Sequence, residues 1–270
     1  VSELSKRVLF ALVAAPAFLA VLYLGGFYFW TMIMLISVIT SWEIAQLFNH
    51  AGYKTDFWPA LILTLSWMSI PFHQFELLFM AFAVLVIIVK ETLTPPHNRY
   101  FSILTTSFAS MYPAWGFFSF YEIRTWVDDQ TGFYLLILVI FMIWGNDSLA
   151  YFAGKKFGKH KMAPEISPAK TWEGFAGGFA GSLLMLALFV VLFEDKLTFS
   201  WVQLLPIAVI TAVFGPIGDL SESKLKRFAG KKDSSNLLPG HGGFFDRFDS
   251  VILVSPAVVL YLNILQKLGF

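Results

Sequence analysis

Long apolar runs alternate with short polar breaks along almost the whole chain. A run of about 20 apolar residues is what a helix needs to cross the hydrocarbon core of a bilayer. Runs of this class, broken by Gly, Pro and charged residues, predict nine membrane-spanning helices. They lie near residues 8–24, 27–46, 57–72, 75–93, 101–120, 132–152, 172–193, 199–221 and 248–268. The third is short and flanked by Pro59 and Pro71. The expected fold is an all-α polytopic membrane protein. No Gly/Ser-rich linker or charge block divides the chain, so residues 1–270 are expected to form a single membrane domain. Residues 1–130 read as an apolar scaffold and residues 131–270 as a catalytic half. No internal repeat is visible, which weighs against the inverted-repeat pattern of transporters. The opening segment VSELSKRVLFALVAAPAFLA imitates a secretory signal. Its apolar character continues through VLYLGGFYFW into the next run, which predicts a retained first helix.

Composition agrees with this pattern. The chain is 57% hydrophobic and 14% charged, against roughly 25% charged residues in soluble chains. A soluble fold with 30 Phe and 9 Trp would expose large apolar patches. The absence of cysteine excludes disulfides, thiolate catalysis and Cys-based zinc sites. A formal net charge of +1 gives no reason to expect a nucleic-acid partner.

Charge is distributed by side rather than in total. In the predicted layout, all of the 19 Lys and Arg except Arg124, Lys196 and Lys267 fall on the side of the N-terminus. Cytoplasmic loops carry the excess of Lys and Arg. The N-terminus and the polar loops 153–171 and 222–247 are therefore expected in the cytoplasm. Before residue 140 charges within spans are rare, Glu43 being the main one. Beyond it they crowd the cytoplasmic ends of the spans, where the chemistry is expected.

The segment FGPIGDLSESKLKRFAGKKDSSNLLPGHGGFFDRFD, Phe214 to Asp249, carries most of that chemistry. Gly215, Pro216 and Gly218 are expected to interrupt the end of span eight. Such breaks occur at membrane depth where the backbone is buried in protein or faces water. Asp219 and Glu222 lie three residues apart and share a helix face, and so do Asp246 and Asp249 at the mouth of span nine. Converging carboxylates repel one another, and a divalent cation relieves the repulsion. All-oxygen ligands favour a hard ion, Mg2+ before Mn2+. Lys224, Lys226, Arg227, Lys232, His241 and Arg247 suit a phosphate-bearing substrate. Gly240, Gly242 and Gly243 let the backbone approach an anion, with the N–H groups of the following helix start as further donors.

A second constellation runs from Trp144 to Gly174. Asn146 and Asp147 sit within or at the end of span six. Ser167-Pro168 reads as a helix start, which puts Lys170, Thr171 and Glu173 in the first turn. Lys170 then reaches a phosphate. Gly174, Gly177, Gly178 and Gly181 have the spacing of a close helix–helix contact. Lys155, Lys156, Lys159 and Lys161 read as topological or lipid-headgroup residues. His73 and His160 are isolated and receive no role.

These residues resemble the phosphatidate cytidylyltransferase (CDP-diacylglycerol synthase) family of prokaryotic type. The resemblance rests on Ser223, Leu225, Lys226-Arg227, Lys232-Asp233, Ser235, Leu238-Pro239, His241-Gly242-Gly243-Phe244 and Asp246-Arg247-Phe248-Asp249. DSLAYFAGKKFGKHK and SPAKTWEG extend it upstream. It implies transfer of the cytidylyl group of CTP to phosphatidate, giving CDP-diacylglycerol and pyrophosphate for phospholipid synthesis. The expected location is a cytoplasmic membrane with lipids as surroundings, and the small residues and aromatics of SFASMYPAWGFF in span five suit either a second subunit, in a homodimer, or lipid. Asp219, Asp246, Asp249 and Lys226 are then the catalytic residues. Asp219, Asp246 and Asp249, with Asp147, are the metal ligands for Mg2+ and a second cation. Lys170, Ser223, Lys224, Arg227, Lys232, His241, Gly242, Gly243 and Arg247 bind substrate phosphates. The alternative is a cation-coupled transporter with an acidic ion site, which also uses carboxylates and broken helices. Pyrophosphate release separates the two.

Overall fold

The computed structural model describes residues 3–69, 81, 82, 84–86, 88, 89, 100–196, 198–238 and 240–269. Pro71, His73, Lys90, Arg99, Pro239 and most of the predicted span 75–93 lie outside these residues. The elements are α1 (Glu3–Leu24), α2 (Gly26–His50), α3 (Phe57–Met68), α4 (Tyr100–Arg124), α5 (Asp129–Phe157), β1 (Lys161–Ala163), β2 (Ser167–Thr171), α6 (Trp172–Phe193), α7 (Trp201–Phe228) and α8 (Phe245–Lys267). A 3-10 turn, Glu194–Lys196, follows α6. Among the described residues α2, α5, α6, α7 and α8 are long and apolar enough to cross a membrane. Val191 (80% exposed) and Leu192 (70%) typify their outward apolar surface, as expected where the solvent is lipid.

The chain forms two compact units. Val1–Phe118 and Leu225–Arg247 make the first, Ser119–Lys224 and Phe248–Phe270 the second. The segment 225–247, read from the sequence as part of the C-terminal half, thus joins the N-terminal helices.

In the first unit α2 buries Phe29, Ile33, Ile36 and Ile44 together with Ser37, Thr40, Ser41 and Glu43. Neighbours satisfy part of this polar stripe, while the buried Ser37 and Thr40 hydroxyls find no hydrogen-bond partner among the described residues. Thr64 on α3 donates to the Ser41 hydroxyl at 3.2 Å, and Trp30 Nε1 donates to the Met68 carbonyl at 3.0 Å.

The second unit is organised by the α5–α6 contact. The small-residue face of α6 lies on α5, as its glycine spacing predicts. A Cβ on Gly181 would stand 2.2 Å from the Gly145 carbonyl oxygen, and one on Gly177 would stand 2.3 Å from Ala153 Cβ. Polar groups lock the seam: Ser182 Oγ donates to the Met142 carbonyl at 3.2 Å and lies 3.4 Å from Asn146 Nδ2. Gly181→Ala is expected to destabilise the protein by about 1–3 kcal/mol, the cost of forcing a methyl group into a packed contact. The midpoint of SDS-induced unfolding from a mild detergent checks this.

α5 has 29 residues, about 43 Å at 1.5 Å per residue, and outruns the hydrocarbon core. The Asp128 side chain caps its start, accepting from the Gln130 and Thr131 N–H groups at 2.9 Å each. The Thr131 N–H leads in holding that carboxyl below the usual aspartate range. Arg124, 1% exposed, pairs with Asp129 at 2.8 Å and lies over the Phe133 ring.

Two local expectations fail. Ser167-Pro168 does not start a helix. Residues Ser167–Thr171 form β2, antiparallel to β1 with Lys161 opposite Thr171 and Ala163 opposite Ser167. The helix begins at Trp172, where Thr171 Oγ1 accepts from the Gly174 N–H at 3.1 Å. The hairpin satisfies the backbone that an earlier helix start would have used, and Thr171 takes the capping role assigned to Ser167. Nor do Gly215, Pro216 and Gly218 interrupt span eight, because α7 runs through them. Pro216 lacks an N–H for the Ala212 carbonyl, and Asn146 Nδ2 donates to that oxygen instead, at 3.4 Å.

Candidate functional site

Each unit holds a polar cluster. In the second unit, carboxylate oxygens of Asp219, Glu222 and Asp249 lie within 4.8 Å of one another. The α7–α8 contact makes this possible. A Cβ on Gly218 would meet the Asp249 carbonyl oxygen at 2.5 Å and Ser250 Cα at 3.0 Å, so only glycine permits the approach. Ser250 Oγ donates to the Gly215 carbonyl at 3.1 Å and fixes the crossing. Asp219 and Glu222 then share one face of α7, as their spacing predicts, and Asp249 meets them from α8.

Lys170, at the end of β2, donates to Asp219 Oδ2 at 2.7 Å and to the Pro216 carbonyl at 3.2 Å. Its ammonium is a cation next to the acidic trio. Ser223 Oγ donates to Asp219 Oδ1 at 3.2 Å. Asp147 lies well inside α5 and is exposed. It lines a cavity of about 440 Å³ with Asn146, Tyr151, Lys155, Lys170 and Asp219. Three hard oxygen donors this close suit a divalent cation of the Mg2+ type, so the residues present fit the expected metal.

In the first unit Asp246 has a different set of partners. Its Oδ1 accepts from Lys226 Nζ at 2.7 Å. Its Oδ2 accepts from the Ser234 N–H (2.9 Å), the Ser234 hydroxyl (2.8 Å) and the Gly243 N–H (2.8 Å). The Asp246 side chain is 5% exposed and that of Lys226 12%. Asp246 and Asp249 were expected to act side by side, but each enters its own network. Glu222 stands in the acidic trio, where the sequence suggested Asp246 and Asp147.

The loop before α8 is a tight turn. His241 N–H donates to the Leu238 carbonyl and Leu238 N–H to the Gly242 carbonyl, both at 2.9 Å. Gly242 has φ +79°, and a Cβ there would meet Asp246 Oδ2 at 2.7 Å. Gly243 is more confined: a Cβ would lie 2.2 Å from both Glu43 Oε1 and Ser234 Oγ.

Glu43 is the residue that sequence reasoning passed over. It is 0% exposed. Its Oε1 accepts from Ser235 Oγ at 2.6 Å and Phe244 N–H at 3.0 Å. Its Oε2 accepts from Phe245 N–H at 2.7 Å and Ser234 Oγ at 3.1 Å. The donors at the start of α8, assigned from sequence to a substrate anion, are therefore taken by Glu43 and Asp246. The signal was present, since a lone carboxylate within an apolar run needs a partner.

Lys224, Arg227, Lys232 and Arg247 are exposed, and His241 is half-buried. Arg227 reaches back to the Lys231 carbonyl at 3.1 Å. His160, left without a role, pairs with Glu173 at 2.6 Å.

Comparison with known proteins supplies a further finding. A sequence profile of the cytidylyltransferase family matches residues 5–265. The phosphatidate cytidylyltransferase of Bacillus subtilis (strain 168) is 35% identical over 270 residues, 96% of this chain and 98% of its own. That of Staphylococcus aureus (strain COL) is 35% identical over 266 residues, covering 95% and 98%. The Staphylococcus saprophyticus protein of the same name matches to the same extent.

Proposed function

The chain belongs to the cytidylyltransferase family, and we propose that it transfers the cytidylyl group of CTP to phosphatidate, giving CDP-diacylglycerol and pyrophosphate. The near full-length match to proteins bearing that activity's name carries the reading. The acidic trio with Lys170 beside a cavity supports it.

In the reaction a phosphatidate phosphate oxygen attacks the α-phosphorus of CTP. The new P–O bond forms as the α–β bond breaks, and pyrophosphate leaves with the bonding pair. The attacking phosphate is already ionised near neutral pH, with a second pKa of about 6. No base has to remove a proton. The barrier is the meeting of two polyanions, so the protein's contribution is positioning and charge neutralisation.

Asp219, Glu222 and Asp249 are the residues that would hold a divalent cation, Mg2+ or Mn2+, with Asp147 next to the cavity. When bound, such an ion supplies Lewis-acid neutralisation of phosphate charge. Ser223 and the ammonium of Lys170 orient the Asp219 carboxylate. Lys170 is placed to pass from that carboxylate to a substrate phosphate lodged in the cavity. In the first unit Asp246 holds Lys226. Arg227, Lys232, His241 and Arg247 are the groups that recognise phosphate there, with Gly242 and Gly243 shaping the turn, and Lys224 does so in the second unit.

The full proposal is a multi-pass protein of a bacterial cytoplasmic membrane, nine helices in all. The N-terminus and the active site face the cytoplasm, where CTP is found, while phosphatidate arrives from the bilayer. Pyrophosphate release by the detergent-solubilised protein tests the reaction. Release that requires CTP and phosphatidate together, and stops with EDTA, is the outcome this reading predicts. A folded protein that releases none across several lipids and nucleotides contradicts it and favours cation transport.

A further inference from the structure

We propose that Glu43 is a positioning residue for this transfer, acting through the Ser234 hydroxyl on the Asp246 carboxylate that holds Lys226. The inference rests on the cytidylyltransferase reading. Glu43 lies on α2, 191 residues before Ser234, in the part of the chain read from sequence as scaffold.

Its surroundings specify a carboxylate. Four donors meet it: the hydroxyls of Ser234 and Ser235 and the N–H groups of Phe244 and Phe245. The two N–H groups only donate, and they approach different oxygens. A glutamine of the same shape would, in either orientation, turn its NH2 group against one of them. Those N–H groups belong to the start of α8, where an anion also meets the positive end of the helix dipole. Glu43 therefore fixes where α8 begins.

The connection continues inward. Ser234 Oγ lies 3.1 Å from Glu43 Oε2 and 2.8 Å from Asp246 Oδ2. It carries one proton for two carboxylates. Ser234 N–H and Gly243 N–H hold the same Asp246 oxygen, which leaves Oδ1 directed at Lys226 Nζ. Displacement of Glu43 moves Ser234, Asp246 and Lys226 in turn. Gly243 is confined by the same two side chains, since a Cβ there would strike Glu43 Oε1 and Ser234 Oγ.

The test is a double-mutant cycle on the full-length protein in detergent, with kcat and KM read for both substrates. Glu43→Gln is expected to lower kcat by about 10–100-fold, the range for residues that orient a functional group. KM for phosphatidate should stay within about threefold. Ser234→Ala is expected to lower kcat about tenfold. The double variant should lose no more than Glu43→Gln alone, because one route carries both effects. Multiplying losses, or a Glu43→Gln kcat within threefold of the parent, would overturn the proposal. If Glu43→Gln does not fold, Ser234→Ala decides alone, and a kcat within threefold of the parent overturns it. An inactive parent protein would instead contradict the cytidylyltransferase reading itself.

Discussion

Asp219→Asn lowers cytidylyl transfer by at least about 10²-fold while the protein remains folded. The magnitude follows from removing a group that organises charge around a reacting phosphate. Asp219 does two things at once: it supplies one oxygen of the acidic trio, and it holds Lys170 at 2.7 Å. The amide keeps the shape and loses the charge, so both the trio and its counter-cation are weakened. Because the Asp219 side chain is 38% exposed, the exchange should leave the unfolding midpoint nearly unchanged. The Mg2+ concentration for half-maximal rate should rise in whatever activity remains. Steady-state kinetics across a Mg2+ titration, beside size-exclusion chromatography, checks all of this. A rate within threefold of the parent would remove Asp219 from the mechanism.

Lys226→Met is expected to do the reverse in one respect and impair folding as well as rate. It strips the cation from a carboxylate whose side chain is only 5% exposed. Removing one partner of a buried pair typically costs about 3–5 kcal/mol, because the remaining charge is left uncompensated. Asp246→Asn added to Lys226→Met should recover most of that stability. The amide oxygen can still accept from Ser234 and Gly243, and the charge is gone. Activity should not return, because the cation assigned to phosphate is still missing. SDS-unfolding midpoints and rates for the single and double variants provide the check. If stability and rate recover together, Lys226 is structural only.

Most of the helical pattern could be read in advance because lipid leaves a chain few options. Buried backbone must bond within its own segment, so apolar runs of about 20 residues announce helices. The helices from α1 to α8 coincide with runs marked on the sequence. The hairpin was a different matter. Ser167-Pro168 is a good local helix signal, and only pairing with Lys161–Ala163 overrides it. Pro216 misled in the same way, since a side chain from α5, Asn146, takes the carbonyl that the proline leaves without a partner.

At the site, the i, i+3 spacing of Asp219 and Glu222 was visible, and so was the glycine face of α6. The separate partners of Asp246 and Asp249 were not. Helical spacing gives direction relative to one axis and does not say which neighbour waits on each side. Glu43 was visible as an anomaly but not as an anchor, because its four donors lie roughly 200 residues away in sequence. Contacts at that separation leave no periodic trace.

The most direct measurement follows the label of CTP into lipid. Purified protein is incubated with phosphatidate, Mg2+ and CTP carrying 32P at either the α- or the γ-phosphorus, and the organic phase is counted. Attack at the α-phosphorus predicts that the α label enters the lipid fraction in step with pyrophosphate release, while the γ label stays in the aqueous phase. No α label in lipid from a folded, phosphatidate-supplied protein, or γ label appearing there, would contradict cytidylyl transfer.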